Sequence, residues 1–169
     1  MSISFYGCVS LDGYLADSEH DLTWLFESGS PEETSYQAFY DSLDITIMGK
    51  QTFKEIEKLD SPKSAYSTTT NYVFTHDSKF NEEGFIPVQG DVVDFVKGLD
   101  QEKHIWVVGG NQILAPLLEA NLVDQLIIQV APVLLGEGLP LFTQKKETKR
   151  FHLAEVTQFG QFAEMRYTK

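Results

Sequence analysis

The chain has 169 residues, 42% of them hydrophobic, which suffices for one globular domain over residues 1–169 with a sizeable core. Its 25 acidic residues against 13 basic ones leave a formal charge of −12, a surface that repels phosphate backbones and argues against nucleic acid as a partner. No apolar run nears the ~20 residues that span a bilayer, and Met1-Ser2-Ile3-Ser4-Phe5 lacks the features of a secretion signal, so a cytoplasmic location without membrane contact is expected.

Ile3 to Ser10 is near-continuously apolar and reads as a strand buried on both faces, with the sole cysteine, Cys8, as a buried and inert thiol. Residues 11–30, rich in Asp, Gly and Ser, form a long loop carrying Leu22-Thr23-Trp24-Leu25-Phe26. Ser30-Pro31-Glu32-Glu33 starts a helix to about Leu43, with Ser30 as N-cap and Glu33 completing a capping box. A strand at 44–48 leads into a helix at about 50–58, and Asn71 to Thr75 is a third strand. Val92, Phe95 and Val96 keep helical spacing behind an Asp91 N-cap, giving a helix from Asp91 to Leu99. A strand at 104–108, a helix at 111–120, and strands over Leu122 to Ala131 and Pro132 to Leu135 follow, closed by the turn Gly136-Glu137-Gly138. Phe151 to Thr157 and Gln161 to Tyr167 alternate like a β-hairpin around Gly160. This order predicts an α/β domain with a mostly parallel sheet and an antiparallel edge.

Two of these junctions carry chemistry. Ile45-Thr46-Ile47-Met48-Gly49-Lys50-Gln51-Thr52-Phe53 and His104-Ile105-Trp106-Val107-Val108-Gly109-Gly110-Asn111-Gln112-Ile113 each join a strand to a helix through glycine. Such a turn aims unpaired N–H groups and the positive helix end at one point. Two of them suggest an extended, multiply charged ligand such as a dinucleotide, hence a cofactor-dependent enzyme. Against the acidic mean field such a ligand needs local cations. Neither turn is a Gly-x-Gly-x-x-Gly fingerprint or a Walker loop. The four histidines, His20, His76, His104 and His152, lack metal-ligand spacing, so no metal is expected.

Met48-Gly49-Lys50-Gln51-Thr52-Phe53 and Val108-Gly109-Gly110-Asn111 resemble the two glycine turns of the dihydrofolate reductase fold. Val9-Ser10-Leu11-Asp12-Gly13-Tyr14-Leu15-Ala16 and Ala131-Pro132-Val133-Leu134-Leu135-Gly136-Glu137-Gly138-Leu139-Pro140-Leu141-Phe142 are similar to segments of the riboflavin-pathway deaminase-reductase C-terminal domains. The four motifs keep family order across residues 9–142. The resemblance implies a three-layer dihydrofolate-reductase-like fold, with a mostly parallel central sheet and a C-terminal antiparallel hairpin, that binds NADPH and transfers hydride to a small heterocyclic substrate. One departure bears on that substrate: no arginine precedes Arg150, whereas the riboflavin-pathway enzymes grip a ribose phosphate with one. Fold and cofactor therefore carry over better than substrate.

By the same resemblance, Gly49, Lys50 and Thr52 hold the pyrophosphate or the 2′-phosphate. Gly109 and Gly110, with a bond that is often cis, bring backbone against the cofactor, and Asn111 and Gln112 open the helix that faces it. Thr75 and His76 fall where the family holds the adenosine 2′-phosphate. Asp12 and Gly13 lie in the loop that covers the nicotinamide, with Asp12 a catalytic candidate and Tyr14 lining the pocket. Glu33 falls near the helix carboxylate that pairs with a pteridine ring; as a buried acid it would assist protonation. Trp24 and Tyr36 could stack on a planar ring. The family also implies a homodimer. Three functions are open: a riboflavin-type reductase of a ribosylamino-pyrimidine, a pterin or folate reductase, and a non-catalytic NADPH-binding module.

Overall fold

The computed structural model describes residues 1–58, 62–143 and 147–169. Chain order runs β1 (Ser2–Val9), β2 (Tyr14–Ala16), α1 (Thr23–Ser28), a 3₁₀ turn (Pro31–Glu33), α2 (Tyr36–Tyr40), β3 (Ile45–Gly49), α3 (Lys50–Lys58), α4 (Pro62–Ala65), β4 (Thr70–Phe74) and β5 (Phe85–Val88). It continues with α5 (Val92–Lys97), β6 (His104–Gly109), α6 (Asn111–Glu119), β7 (Gln125–Val130), β8 (Leu139–Pro140), β9 (His152–Phe159) and β10 (Phe162–Thr168). The main sheet has the order β5-β4-β3-β6-β1-β7-β10-β9. Its first six strands pair in parallel, and β10 runs antiparallel to both β7 and β9. β2 and β8 form a separate small ribbon.

Period-two alternation sorts the core into two layers of side chains. On one face Ile3, Phe5, Ile45, Ile47, Ile105 and Val107 pack with Val92 and Val96 of α5 and Ile113, Leu114 and Leu117 of α6. On the other, Tyr6, Met48, Val73, Trp106 and Ile127 pack with Phe39 and Tyr40 of α2, Phe53 of α3 and Tyr66. Each such aliphatic or aromatic side chain contributes roughly 1.5–3 kcal/mol by leaving water. The second face is built from aromatic contacts: Tyr66 stacks on Trp106 with ring centroids 6.0 Å apart, and Tyr36 meets Trp106 edge-on at 5.9 Å. The expected three-layer α/β architecture, with its closing hairpin, is present.

Five local expectations are corrected. The helix expected over 31–43 splits into the 3₁₀ turn and the short α2. There the Thr34 hydroxyl accepts the Tyr36 N–H at 3.2 Å and the Ser35 hydroxyl turns away to Glu164, so side chains compete with the helical ladder. Ser30 caps Glu32 N–H at 3.3 Å, and no capping box forms with Glu33. β5 is a strand the sequence hides behind Pro87; it is tolerated because β5 is the sheet's edge. The 11–30 loop contains β2 and α1, and Pro132 to Leu135 is not a strand.

Candidate active site

The C-terminal ends of the parallel strands β3, β4, β5 and β6 open onto a cleft of about 700 Å³. Gly49, Lys50, Gln51 and Thr52 enter it where β3 becomes α3, and Gly110, Asn111 and Gln112 where β6 becomes α6. Thr75, His76 and Asp77 line it after β4, and Gln89, Gly90 and Asp91 between β5 and α5. Every residue expected at the cofactor except Gly109 thus lines one cavity, and Gly109 is joined to Gly110 by a cis peptide bond. The Gln89–Asp91 wall is a third strand-to-helix turn that the sequence reading missed together with β5. Its local signal is Gly90, at φ +106°, before the Asp91 cap, which accepts the Val93 and Asp94 N–H groups at 2.8 and 3.0 Å.

The glycines here make room. A Cβ on Gly49 would stand 3.7 Å from Ile113 Cγ1 and 4.0 Å from Gly110 N, and one on Gly110 would stand 3.4 Å from Thr52 Oγ1. Side chains would therefore fill the space between the two turns. At the mouth of α6, Asn111 Nδ2 donates to the Pro140 carbonyl at 3.0 Å, while its Oδ1 is buried with no hydrogen-bond partner among the described residues. That orphaned acceptor is satisfied once a ligand brings a donor. Lys50 Nζ donates to Asp77 Oδ2 at 2.5 Å, and this bond, more than any other influence, holds the Asp77 carboxyl below its ordinary range. His76 is exposed on the rim, and His20 reaches the cleft from the 17–21 turn.

A second cleft of about 400 Å³ shares Thr52 with the first. Tyr36, Tyr66, Trp106 and Phe162 form much of its wall, and Tyr6, Thr34, Glu55 and Gln129 supply polar atoms. Leu22, Leu25, Phe26 and Gly29 close one side. Their spacing of three, four and seven residues is one face of α1, and it explains why Trp24 is not there: the helix turns it the other way, into a cluster with Ala131 and Phe162. Tyr36 does line the cleft, and burial pushes its hydroxyl up to about 12. Burial also pushes the Cys8 thiol up to about 12, as an inert thiol requires.

Three further expectations find other surroundings. Glu33 is exposed, with Oε2 beside the backbone of Gly29 and Gly160 at the hairpin turn, so it is no buried acid. Asp12 accepts from the Ser10 hydroxyl at 2.6 Å and from the Leu135 and Gly136 N–H groups at 3.2 and 2.7 Å. These bonds, the Ser10 hydroxyl first, lower its pKa and staple the 10–13 turn to the 133–136 segment. Tyr14 opens the adjoining β2–β8 ribbon, and Gly13 just before it accepts the Leu141 N–H at 3.1 Å. Asp12, Gly13 and Tyr14 line neither cleft.

The buried carboxylate is instead Glu164 on β10, 1% exposed. Ser35 Oγ donates to it at 2.6 Å, Gln129 Nε2 at 2.9 Å, Arg166 at 3.0 Å and the Tyr6 hydroxyl at 3.3 Å. Its sequence signal is slight: a glutamate two residues from Phe162, on the inward face of the hairpin. Gln129 is similarly a lone amide at the end of the apolar run Leu126-Ile127-Ile128.

A parallel sheet closed by an antiparallel hairpin, with two glycine turns facing one cleft, defines the dihydrofolate-reductase-like fold. The chain superposes on a putative riboflavin biosynthesis protein from Shewanella sp. PV-4 with a TM-score of 0.86 at 24% identity, covering 99% of this chain and 98% of that one. It superposes on Enterococcus faecalis dihydrofolate reductase, complexed with NADP(H) and RAB-propyl, with a TM-score of 0.66 at 16% identity, covering 99% and 95%. The RibD C-terminal domain family model matches residues 3–163, and the chain belongs to that family. It is also 32% identical over 167 residues to YwjB, an uncharacterized protein of Bacillus subtilis, covering 97% of this chain and 95% of that one.

Proposed function

We propose that this protein is an NADPH-dependent oxidoreductase of the riboflavin-pathway type, holding its cofactor in the larger cleft and reducing a small heterocycle in the smaller one. The observation that carries the reading is the junction: Thr52 lines both clefts, beside the Gly109–Gly110 turn. The donor set suits the cofactor's phosphates, because two helix N-termini and Lys50 converge on one cavity, and the unpartnered Asn111 Oδ1 adds an acceptor for a hydroxyl or amide N–H of the same ligand. Bound NADPH supplies a hydride from its nicotinamide ring. Lys50 and the first turns of α3 and α6 would hold phosphate oxygens, with Thr75 and His76 at the adenosine end. Leu22, Leu25 and Phe26 keep water from the acceptor pocket. Tyr6 keeps its proton, since burial above all raises its pKa, and so serves there as a hydrogen-bonding group. Asp12 acts on the site indirectly, by fixing the turn that carries Gly13.

Two expectations stay within this proposal. A cytoplasmic setting accords with a lone free thiol. A homodimer accords with β9, an edge strand with Leu153 57% and Val156 59% exposed, which a second copy would cover. Light scattering reads the dimer directly.

Titration with NADPH and NADH, followed by energy transfer from tryptophan to the reduced nicotinamide, tests the reading. Saturable binding that favours NADPH is expected; binding of neither nucleotide would overturn it.

A further inference from the structure

Gln129 sits at the floor of the smaller cleft and has both its amide hydrogens committed. Nε2 donates to Glu164 Oε2 at 2.9 Å and to the Tyr6 hydroxyl at 2.7 Å. A carboxylate only accepts, so the amide nitrogen has to face Glu164 and the carbonyl oxygen has to face away from it. Glu164 cannot turn aside, because Ser35 and Arg166 grip it from other directions. Gln129 Oε1 has no hydrogen bond among the described residues, and it is not sealed from solvent as the orphaned atoms of Trp24 and Asn111 are. It is a preset acceptor at the base of a slot walled by Tyr36, Tyr66 and Trp106. An acceptor with no internal donor in an aromatic slot fits a flat ring that presents an N–H.

Charge narrows the ligand further. Among the described residues, no lysine, arginine or histidine lines this cleft. Among the described residues the one charged side chain on its wall is Glu55, which Lys58 pairs at 2.6 Å, and Glu164 lies behind the floor. Arg166 is committed to Glu164 and Glu155. A phosphate in this cleft would meet two carboxylates whose cations, Lys58 and Arg166, are already paired, and no uncommitted cation among the described residues.

We propose that Gln129 recognises the substrate and that Glu164 is its positioning residue, so that the smaller cleft takes an uncharged planar heterocycle presenting a ring N–H or amino group. The inference rests on the reductase reading for the identity of this cleft. It assigns the acceptor's class and sets it apart from sugar-phosphate substrates.

Saturation-transfer NMR on the full chain, with and without NADPH, tests it using uracil, 1,3-dimethyluracil and ribose 5-phosphate as probes. The expected result is that uracil binds about tenfold better than its dimethyl analogue, which lacks the N–H, and that ribose 5-phosphate does not bind. Gln129→Leu should erase the preference by weakening uracil alone. Glu164→Gln should reduce it, because the neutral amide no longer dictates which end of Gln129 faces the ring; a merely structural glutamate would leave the ratio between the two uracils unchanged. Should Glu164→Gln fail to fold, Gln129→Leu carries the test alone. Equal binding of the two uracils to the unaltered protein, an unchanged ratio in Gln129→Leu, or binding of ribose 5-phosphate as tight as uracil would overturn the proposal. Failure of NADPH to bind while the uracil preference persists would count against the reductase reading and not against Gln129.

Discussion

The two clefts meet at Thr52 yet are made in opposite ways. The larger is a backbone structure: strand ends, glycine turns and helix first turns, each set by five or six neighbouring residues. The smaller is a side-chain structure, in which β1, β7, β10 and the 34–36 segment each contribute one to three residues. Tyr6 and Glu164 are 158 positions apart and Gln129 and Glu164 are 35 apart, yet all three share one hydrogen-bond network. Local geometry suffices to build a general nucleotide cradle, whereas selectivity for one acceptor comes from contacts across the sheet.

Substitutions can separate the two constructions. The largest effect is expected for Glu164→Ala, which removes the buried acceptor of Gln129, Ser35 and Tyr6 and leaves Arg166 only its longer pair with Glu155. Breaking such a buried pair costs about 3–5 kcal/mol, to be read as a lowered denaturation midpoint. Gly110→Val should leave the sheet folded but fill the space against Thr52, weakening NADPH binding at least about tenfold in a fluorescence titration. The Lys50–Asp77 pair gives a smaller, salt-dependent effect. Lys50→Ala should weaken NADPH more than NADH, while Asp77→Asn should release Lys50 and tighten NADPH modestly, a gain that shrinks at high ionic strength.

The smallest effect concerns Asp12. Its folded pKa lies below the ordinary 3.8, so the ionised form is the one that favours folding. That stabilisation is complete above the unfolded value and is lost as pH falls through the folded one. Asp12→Asn should therefore melt earlier than the unaltered protein at neutral pH, and the difference should vanish under acid conditions.

The same contrast governs what could be read in advance. Gly49, Lys50, Thr52, Asn111 and Gln112 are legible as cleft residues because turn chemistry is local and repeats with glycine. A mostly parallel sheet with a closing hairpin follows from alternating strand and helix patterns, whereas the order of its strands does not. β5 was lost because Pro87 argues against a strand unless its edge position is known. Trp24 was misplaced because the face of α1 that turns inward is chosen by tertiary packing; the spacing of Leu22, Leu25 and Phe26 was the available clue. Glu33 stands out because its position resembles that of a family helix carboxylate, while Glu164 goes unnoticed because its burial depends on a hairpin returning across the sheet.

The most direct test of the central claim is a crystal structure of the NADPH complex. The account predicts phosphates against the first turns of α3 and α6 and the nicotinamide at Thr52, its free face toward the cleft floored by Gln129. A nicotinamide outside that junction, or NADPH bound elsewhere on the protein, would contradict it.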